Sequence, residues 1–257
     1  MKVPITNEAF QESARTAQEA KEMLVLANRV LAHEGVFDAF GHISVRNPEN
    51  PDTFFISRAI SPELVTIDDM LELDFEGNIV AGNPAYKPFN ERAIHCAIYA
   101  ARPDVMCVAH PHPHEIIPFA STDVPLRSIY HQDVTFYEGI PVFKDLPVEC
   151  GMLINNLPLA RKLADMLGHR RGILIRNHGV VVVGESIPRA IYSTVTLRDN
   201  AKMLLQTLAM GVEVHYLSQD EMETGTVNQF TKGISRTWNL WCTKAKEAYP
   251  EIAHIPH

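Results

Sequence analysis

The spacing of hydrophobic and polar residues predicts a chain of alternating helices and strands. Between residues 12 and 34, apolar residues recur at steps of three and four, which is the pattern of an amphipathic helix, and Gly35 marks its end. Helical spacing recurs in four further segments: 90–101, 158–167, 188–210 and, in the tail, about 218–249. The third of these begins at a proline, which suits the first turn of a helix.

Short apolar runs bounded by turn residues predict the strands of a central sheet. Residues 70–75 and 79–80 flank Glu76-Gly77-Asn78 and form a hairpin in this interpretation. Further strands are expected around Ile43 and Val45 and at 53–56, 105–109, 172–175 and 180–183. Because no repeat or flexible linker divides the chain, residues 1–257 are predicted to form one α/β domain, with helices on the faces of the sheet and a helical tail from about 218.

The composition narrows the classes of function. Of the 257 residues, 46% are hydrophobic and 21% are charged, which provides for a large core. The formal net charge of −8 argues against nucleic acid or an anionic membrane as the main partner. No apolar run approaches the ~20 residues that span a bilayer, and no secretory signal pattern opens the chain. The four cysteines form no CxxC pair, so we expect a reduced, cytoplasmic setting.

Three of the twelve histidines are candidate metal ligands. His110 and His112 are two residues apart at the end of a predicted strand, where side chains at i and i+2 point to the same side. His178 lies in a turn between two apolar strands. Three neutral imidazoles leave a coordination position open, as a catalytic zinc site requires. His114 shares the same alternation and could replace His110, so spacing alone leaves the ligand set open.

Glu91 lies in the first turn of the helix predicted over residues 90–101. A glutamate at this place is usually a partner of the helix dipole or a capping residue. The position of Glu91 alone therefore indicates no catalytic role. Whether it has such a role depends on the motifs around it.

Six motifs, taken together and in order, resemble the class II aldolase/adducin family over about residues 19–217. They are GHISVR at 41–46, SPELV at 61–65, KPFNE at 87–91, RPDV at 102–105, HPHP at 110–113 and RNHG at 176–179. The resemblance implies an α/β/α domain with a central, mostly antiparallel sheet. It also implies a homotetramer with active sites at subunit interfaces. A divalent metal is implied on His110, His112 and His178, zinc first, with Mn, Fe or Co as alternatives.

At several positions this chain differs from the sugar-phosphate aldolases of the family. The resemblance implies roles for the residues at these positions. Those aldolases hold the substrate phosphate where this chain carries His42, Arg58 and Phe89. A phosphate nest needs close backbone amides and hydroxyls, whereas an arginine fork and an aromatic ring suit a planar carboxylate. The pattern resembles the family branch that decarboxylates hydroxylated aromatic acids such as dihydroxyphthalate and hydroxy-methylpyridine-dicarboxylate. We therefore expect a lyase of aromatic catabolism, a metal-dependent decarboxylase of a small hydroxylated aromatic or pyridine carboxylate.

The expected site has two groups of residues besides the metal ligands. The substrate-binding group is Ser57, Arg58, Phe89 and Asn90. The catalytic group is Glu91, which matches the family's acid/base and can also ligate the metal, with His42 and His131 as further proton donors. His131 lies near where related aldolases present a tyrosine from the neighbouring subunit.

Three alternatives to the decarboxylase stay open. The first is a class II aldolase acting on an unphosphorylated or carboxylated substrate. The second is an iron oxygenase of a substituted hydroxybenzoate, because three histidines also hold iron. The third is a non-enzymatic adducin-like module, which would be expected to lack the metal ligands that this chain retains.

Overall fold

The computed structural model describes residues 13–257, without the side chains of residues 226–232. The helices are α1 (Ala17–His33), α2 (Arg92–Ala101), α3 (Ile117–Ala120), α4 (Leu157–Leu167), α5 (Ile187–Ala209) and α6 (Gln219–Ala248). The strands are β1 (His42–Arg46), β2 (Thr53–Ser57), β3 (Met70–Asp74), β4 (Ile79–Ala81), β5 (Cys107–His110), β6 (Val142–Phe143), β7 (Gly172–Ile175) and β8 (Gly179–Gly184).

The strands form one sheet of eight in the order β4-β3-β2-β1-β5-β8-β7-β6. Only the β6–β7 pair among these is parallel, which confirms the expected mostly antiparallel sheet. Strands β1 and β5 are central neighbours, and His42 lies directly opposite His110 in their register. Since β8 is antiparallel to β5, the start of β8 lies beside the end of β5. Three segments with predicted site residues therefore meet at one end of the sheet.

Helices cover both faces of the sheet, because alternate strand residues point to opposite sides. Ile43 and Val45 of β1 belong to a buried cluster with α1, α5 and α6. Phe54 and Ile56 of β2 belong to a second cluster with α2 and α4. This arrangement confirms the expected α/β/α architecture.

The helix ends show where the predicted boundaries need correction. Helix α1 starts at Ala17 and not near residue 12, because Thr16 and Glu19 form a capping box; residue 12 itself lies outside the described residues. Gly35, with φ 67°, follows its end as expected. Helix α2 starts at Arg92, because Glu91 has a φ of −86° and a ψ of 15°. In the part of the chain that the structure describes, no helix is long and apolar enough to cross a bilayer.

Candidate metal centre

Four side chains converge where β5 ends. His110 is the last residue of β5, His112 follows it, His178 comes just before β8, and Glu91 comes just before α2. One potential ligand atom from each lies within 4.8 Å of all the others. The Nε2 atom of His112 is 3.3 Å from that of His110 and 3.1 Å from that of His178. The Oε2 atom of Glu91 is 3.5 Å from His110 Nε2 and 3.4 Å from His178 Nε2.

Backbone carbonyls determine which nitrogen of two of these rings carries hydrogen. His110 Nδ1 lies 2.9 Å from the carbonyl oxygen of Val180, and His178 Nδ1 lies 3.1 Å from that of Met152. A carbonyl oxygen only accepts, so both Nδ1 atoms must donate. In a neutral ring, Nε2 then carries no hydrogen and has a free lone pair, and the lone pairs of both Nε2 atoms point into the cluster. Contacts of this kind typically orient metal-binding histidines.

The donor set fits a divalent metal ion. A Zn–N bond of about 2.0–2.1 Å in a tetrahedral site places neighbouring ligand atoms about 3.3 Å apart. The four contacts measured here lie between 3.1 and 3.5 Å. Bare nitrogens and a carboxylate in such proximity repel one another unless a cation lies between them. His114 is exposed and does not belong to the cluster, so the arrangement favours His110, His112 and His178 with Glu91 as a fourth group.

Two residues of the cluster, His112 and Glu91, keep the protonation states that metal binding requires. Burial, together with the neighbouring His110 and His178, lowers the pKa of His112 to about 3, so its imidazole is neutral. In the metal-free cluster, burial raises the pKa of Glu91, but interactions with His110 and His178 outweigh burial and hold that pKa below its usual range, and Glu91 in turn raises the pKa of His178. The Oε1 atom of Glu91 accepts a 2.8 Å hydrogen bond from the N–H of Ile154. This leaves an ionised Oε2 directed at the histidines.

The turn between β7 and β8 depends on residues with special backbone properties. Asn177 adopts a φ of 56°, in the left-handed region that asparagine tolerates better than most residues. A Cβ atom on Gly179 would lie 2.5 Å from the carbonyl oxygen of Pro111 and 2.8 Å from Cδ2 of His112. Only glycine therefore allows this turn to press against the segment after β5 and bring His178 to His112.

A cavity of about 750 Å³ opens directly onto the cluster, a volume typical of sites for small molecules. Glu91, His112 and His178 contribute to its lining. His42, Phe89 and Asn90 also line it, so four of the expected substrate and catalytic residues, counting Glu91, share one cavity with the cluster.

Three expected site residues do not line this cavity. Ser57 is buried at the end of β2. Arg58 donates from Nε to Oδ1 of Asp69 at 2.5 Å, and its guanidinium lies 4.8 Å from the centre of the Tyr86 ring. His131 is exposed, beside Tyr130, in the segment between α3 and β6. The roles of Ser57, Arg58 and His131 stay predictions.

Two residues at the site were not singled out from the sequence. Lys87 lines the cavity, and within the described residues no ion pair engages its ammonium group. It belongs to the KPFNE motif, so its positive charge could have been recognised in the sequence as a candidate for substrate binding. His95 is fully buried behind the cavity wall, and its Nε2 atom lies 2.8 Å from Nδ1 of His42. Its place four residues after Glu91, on the same helix face, was the available signal.

The wall of the cavity is aromatic and uncharged at His42. The centre of the His42 ring lies 4.5 Å from that of Phe89 and 5.1 Å from that of His110. Burial, with the neighbouring His95 and His110, lowers the pKa of His42 well below its usual value. The ring is therefore a neutral imidazole at neutral pH.

Comparison with known proteins identifies the family. Residues 22–205 match the class II aldolase and adducin N-terminal domain, so the chain belongs to the class II aldolase/adducin family. It is 32% identical to decarboxylase tropJ of Talaromyces stipitatus, over 82% of this chain and 88% of that protein. It is 28% identical to a 3,4-dihydroxyphthalate decarboxylase of Arthrobacter keyseri, over 82% and 87% of the two chains. The resemblance to the decarboxylase branch is thereby confirmed.

Solved structures show the same fold. An L-fuculose 1-phosphate aldolase from Glaciozyma antarctica superposes with a TM-score of 0.74, at 24% identity, over 90% of each chain. At this identity the superposition establishes the shared fold and no more.

Proposed function

We propose that this protein is a metal-dependent decarboxylase of a hydroxylated aromatic or pyridine carboxylate, in aromatic catabolism. The observation that carries the proposal is the cluster of Glu91 and three histidines at a cavity lined by an aromatic ring and a lysine. The similarity to two decarboxylases, one of which is named for an aromatic dicarboxylate, supports the reaction class.

The cavity wall suits a planar, acidic molecule. Phe89 and His42 form adjoining aromatic surfaces, on which a flat ring can pack. The ammonium group of Lys87 supplies a positive charge for a carboxylate, without the bidentate geometry of arginine. Arg58 stays a candidate for a second carboxylate only if it leaves Asp69.

His110, His112 and His178, with Glu91, would hold the metal, and zinc suits this set of nitrogen and oxygen donors best. When bound, a divalent ion supplies a Lewis acid that stabilises negative charge on a substrate oxygen beside the breaking bond. The bond between the ring carbon and the carboxylate breaks, carbon dioxide leaves, and the electron pair stays with the ring carbon. A proton, either taken up from solvent by Glu91 or held by a cavity histidine, then replaces the carboxylate.

Of the two histidines predicted to donate a proton, His42 and His131, this chain places His42 at its own cavity. His131 would act in the cavity of a neighbouring subunit, in the homotetramer that we also propose. A cytoplasmic setting is part of the same proposal.

Carbon dioxide release tests the reaction. The metal-loaded protein would be offered ortho-hydroxy aromatic and pyridine dicarboxylates, with Glu91→Ala as the paired variant. We expect metal-dependent release with at least one of these acids and its loss in the variant. Retro-aldol products from hydroxy acids would favour the aldolase alternative, whose metal site would use the same four residues. Oxygen consumption with hydroxybenzoates would favour the iron oxygenase.

A further inference from the structure

Two rows of polar side chains face each other between β1 and α2, directly behind the cavity. On β1, His42 and Ser44 share one face, because alternate strand residues point to the same side. On α2, His95 and Tyr99 are four residues apart and share the face that lies over β1. All four residues are at most 3% exposed.

These four side chains form a continuous series of short hydrogen bonds. Tyr99 OH is 2.8 Å from Ser44 Oγ, and Ser44 Oγ is 2.6 Å from His95 Nδ1. His95 Nε2 is then 2.8 Å from His42 Nδ1. Hydrogen bonds of this kind are stronger in a buried environment than in water, so the series holds each ring in one orientation.

The direction of the hydrogens follows from counting donors. If Tyr99 donates to Ser44, and Ser44 to His95, then His95 donates from Nε2 to His42, and the one hydrogen outside these short bonds is that on Nε2 of His42, whose ring lines the cavity. In the opposite direction the Tyr99 hydroxyl must donate to the carbonyl oxygen of Met106 at 3.5 Å, well beyond an ordinary O–H···O distance of about 2.7–2.8 Å. The first direction is therefore favoured. It makes Nδ1 of His42 an acceptor and leaves the hydrogen of that ring on Nε2.

We infer that His95 is a positioning residue that makes His42 present an Nε2–H donor to an acidic oxygen of the molecule bound in the cavity. The identity of that molecule rests on the proposed decarboxylase function. Within the described residues no other hydrogen bond engages the ring of His42, and this ring lines the cavity. His95 acts through His42 and not through the metal cluster, because Nδ1 of His110 and Nδ1 of His178 contact Val180 and Met152 instead.

Nuclear magnetic resonance tests the inference without an activity measurement. The zinc-loaded protein would be labelled with [15N]histidine, and the His42 signals would be assigned by their absence in His42→Ala. We expect His42 in the wild-type protein to be the Nε2–H tautomer, and His95→Asn to lose that preference. A wild-type His42 in the Nδ1–H form, or one unchanged in His95→Asn, would overturn the inference.

Two amide variants provide a matched pair for kinetics. Glutamine at position 95 places its amide near where Nε2 lies, whereas asparagine reaches only the Nδ1 position. We therefore expect His95→Asn to lower kcat/KM roughly 10–100-fold, the usual cost of losing one hydrogen bond to a charged group, and His95→Gln to recover most of it. Metal content should stay unchanged in both. Equal losses in the two variants would contradict the role.

A double-mutant cycle decides whether His95 acts through His42. In a His42→Ala background, His95→Asn should cost nothing further, whereas additive losses would show an independent effect. If His95→Asn does not fold, Ser44→Ala removes the donor to His95 and should give the same loss of tautomer preference. If no acid in the panel releases carbon dioxide, the proposed function fails, but the tautomer measurement still decides the role of His95.

Discussion

Glu91 Oε2 lies 3.4 Å from His178 Nε2, although Glu91 belongs to the segment before α2 and His178 to the turn before β8. The second oxygen of Glu91 accepts from the N–H of Ile154, just before α4. The carboxylate therefore connects three separate parts of the chain. The site is built by the packing of α2 and α4 on the sheet, and the local sequence around each ligand contributes only the residue type.

Removing one imidazole should remove the metal. In His112→Ala, one nitrogen of the cluster is lost, and we expect metal content and activity to fall together. His114→Ala is the matched control, because His114 is an exposed histidine two residues away and outside the cluster. Metal analysis of the two purified variants checks the assignment. Near-full metal occupancy in His112→Ala, or its loss in His114→Ala, would contradict it.

Gly179→Ala should damage the site without changing any ligand. The added Cβ would lie 2.5 Å from Pro111 O, and relieving such overpacking costs about 1–3 kcal/mol. We expect a lower free energy of unfolding and weaker metal binding. Gly233→Ala is the control, because a Cβ there meets nothing within 4 Å among the described residues, and alanine in place of a helical glycine should stabilise by about 1 kcal/mol or less. Chemical denaturation and metal titration measure both, and equal effects would contradict the packing argument.

Lys87 and Arg58 should differ in their effect on substrate binding. Lys87 lines the cavity, whereas Arg58 is paired with Asp69. We expect Lys87→Met to raise KM for a dicarboxylate by about tenfold, which is the factor that ~1.4 kcal/mol of lost binding gives. Arg58→Met should change KM less. Steady-state kinetics with both variants measures the difference. A larger rise of KM in Arg58→Met would show that Arg58, and not Lys87, binds the substrate carboxylate.

A buried carboxyl group away from the site should make stability depend on pH. Asp133 is 1% exposed, and among the described residues its Oδ1 has no hydrogen-bond partner. Burial raises its pKa well above the ordinary value of 3.8, although Ser128 opposes the shift. The stability that Asp133 contributes is therefore fully present below pH 3.8 and is lost as pH rises through the folded-state pKa.

Asp133→Asn removes this titration while keeping the shape of the side chain. We expect the variant to gain free energy of unfolding relative to the wild-type protein as pH rises above 4, because the wild-type carboxyl must ionise in a buried position near the charge of Asp199. Urea unfolding of both proteins at several pH values measures the difference in their free energies of unfolding. The contributions of other titrating groups cancel in this difference. A difference that does not change with pH would contradict the argument.

Much of the fold could be predicted from the sequence because periodicity reports burial. Helix α5 and strands β7 and β8 have regular spacing of apolar residues, and their predicted ranges lie within two residues of the observed ones. Helix α3 and strand β6 were missed, since residues 111–157 hold six prolines and elements of four and two residues, too short for a period to appear. Tertiary contacts determine such short elements.

The candidate site was predictable in its residue types and not in its partners. The metal cluster followed from motifs that keep their order in the family. The pairing of Arg58 with Asp69 follows from the β2–β3 hairpin, in which Arg58 donates its N–H to the carbonyl of Asp69. The partnership of His95 with His42 depends on how α2 lies over β1. A single sequence contains the residues of such contacts but not the packing that brings them together.

Metal-dependent release of labelled carbon dioxide is the most direct test of the proposed decarboxylase. Carboxyl-labelled 3,4-dihydroxyphthalate would be incubated with chelator-treated protein before and after zinc is restored. We expect release only after zinc is restored, and none in zinc-treated His112→Ala. Equal release from metal-free and zinc-loaded protein, or none from the loaded protein with this acid or any other acid of the panel, would contradict it.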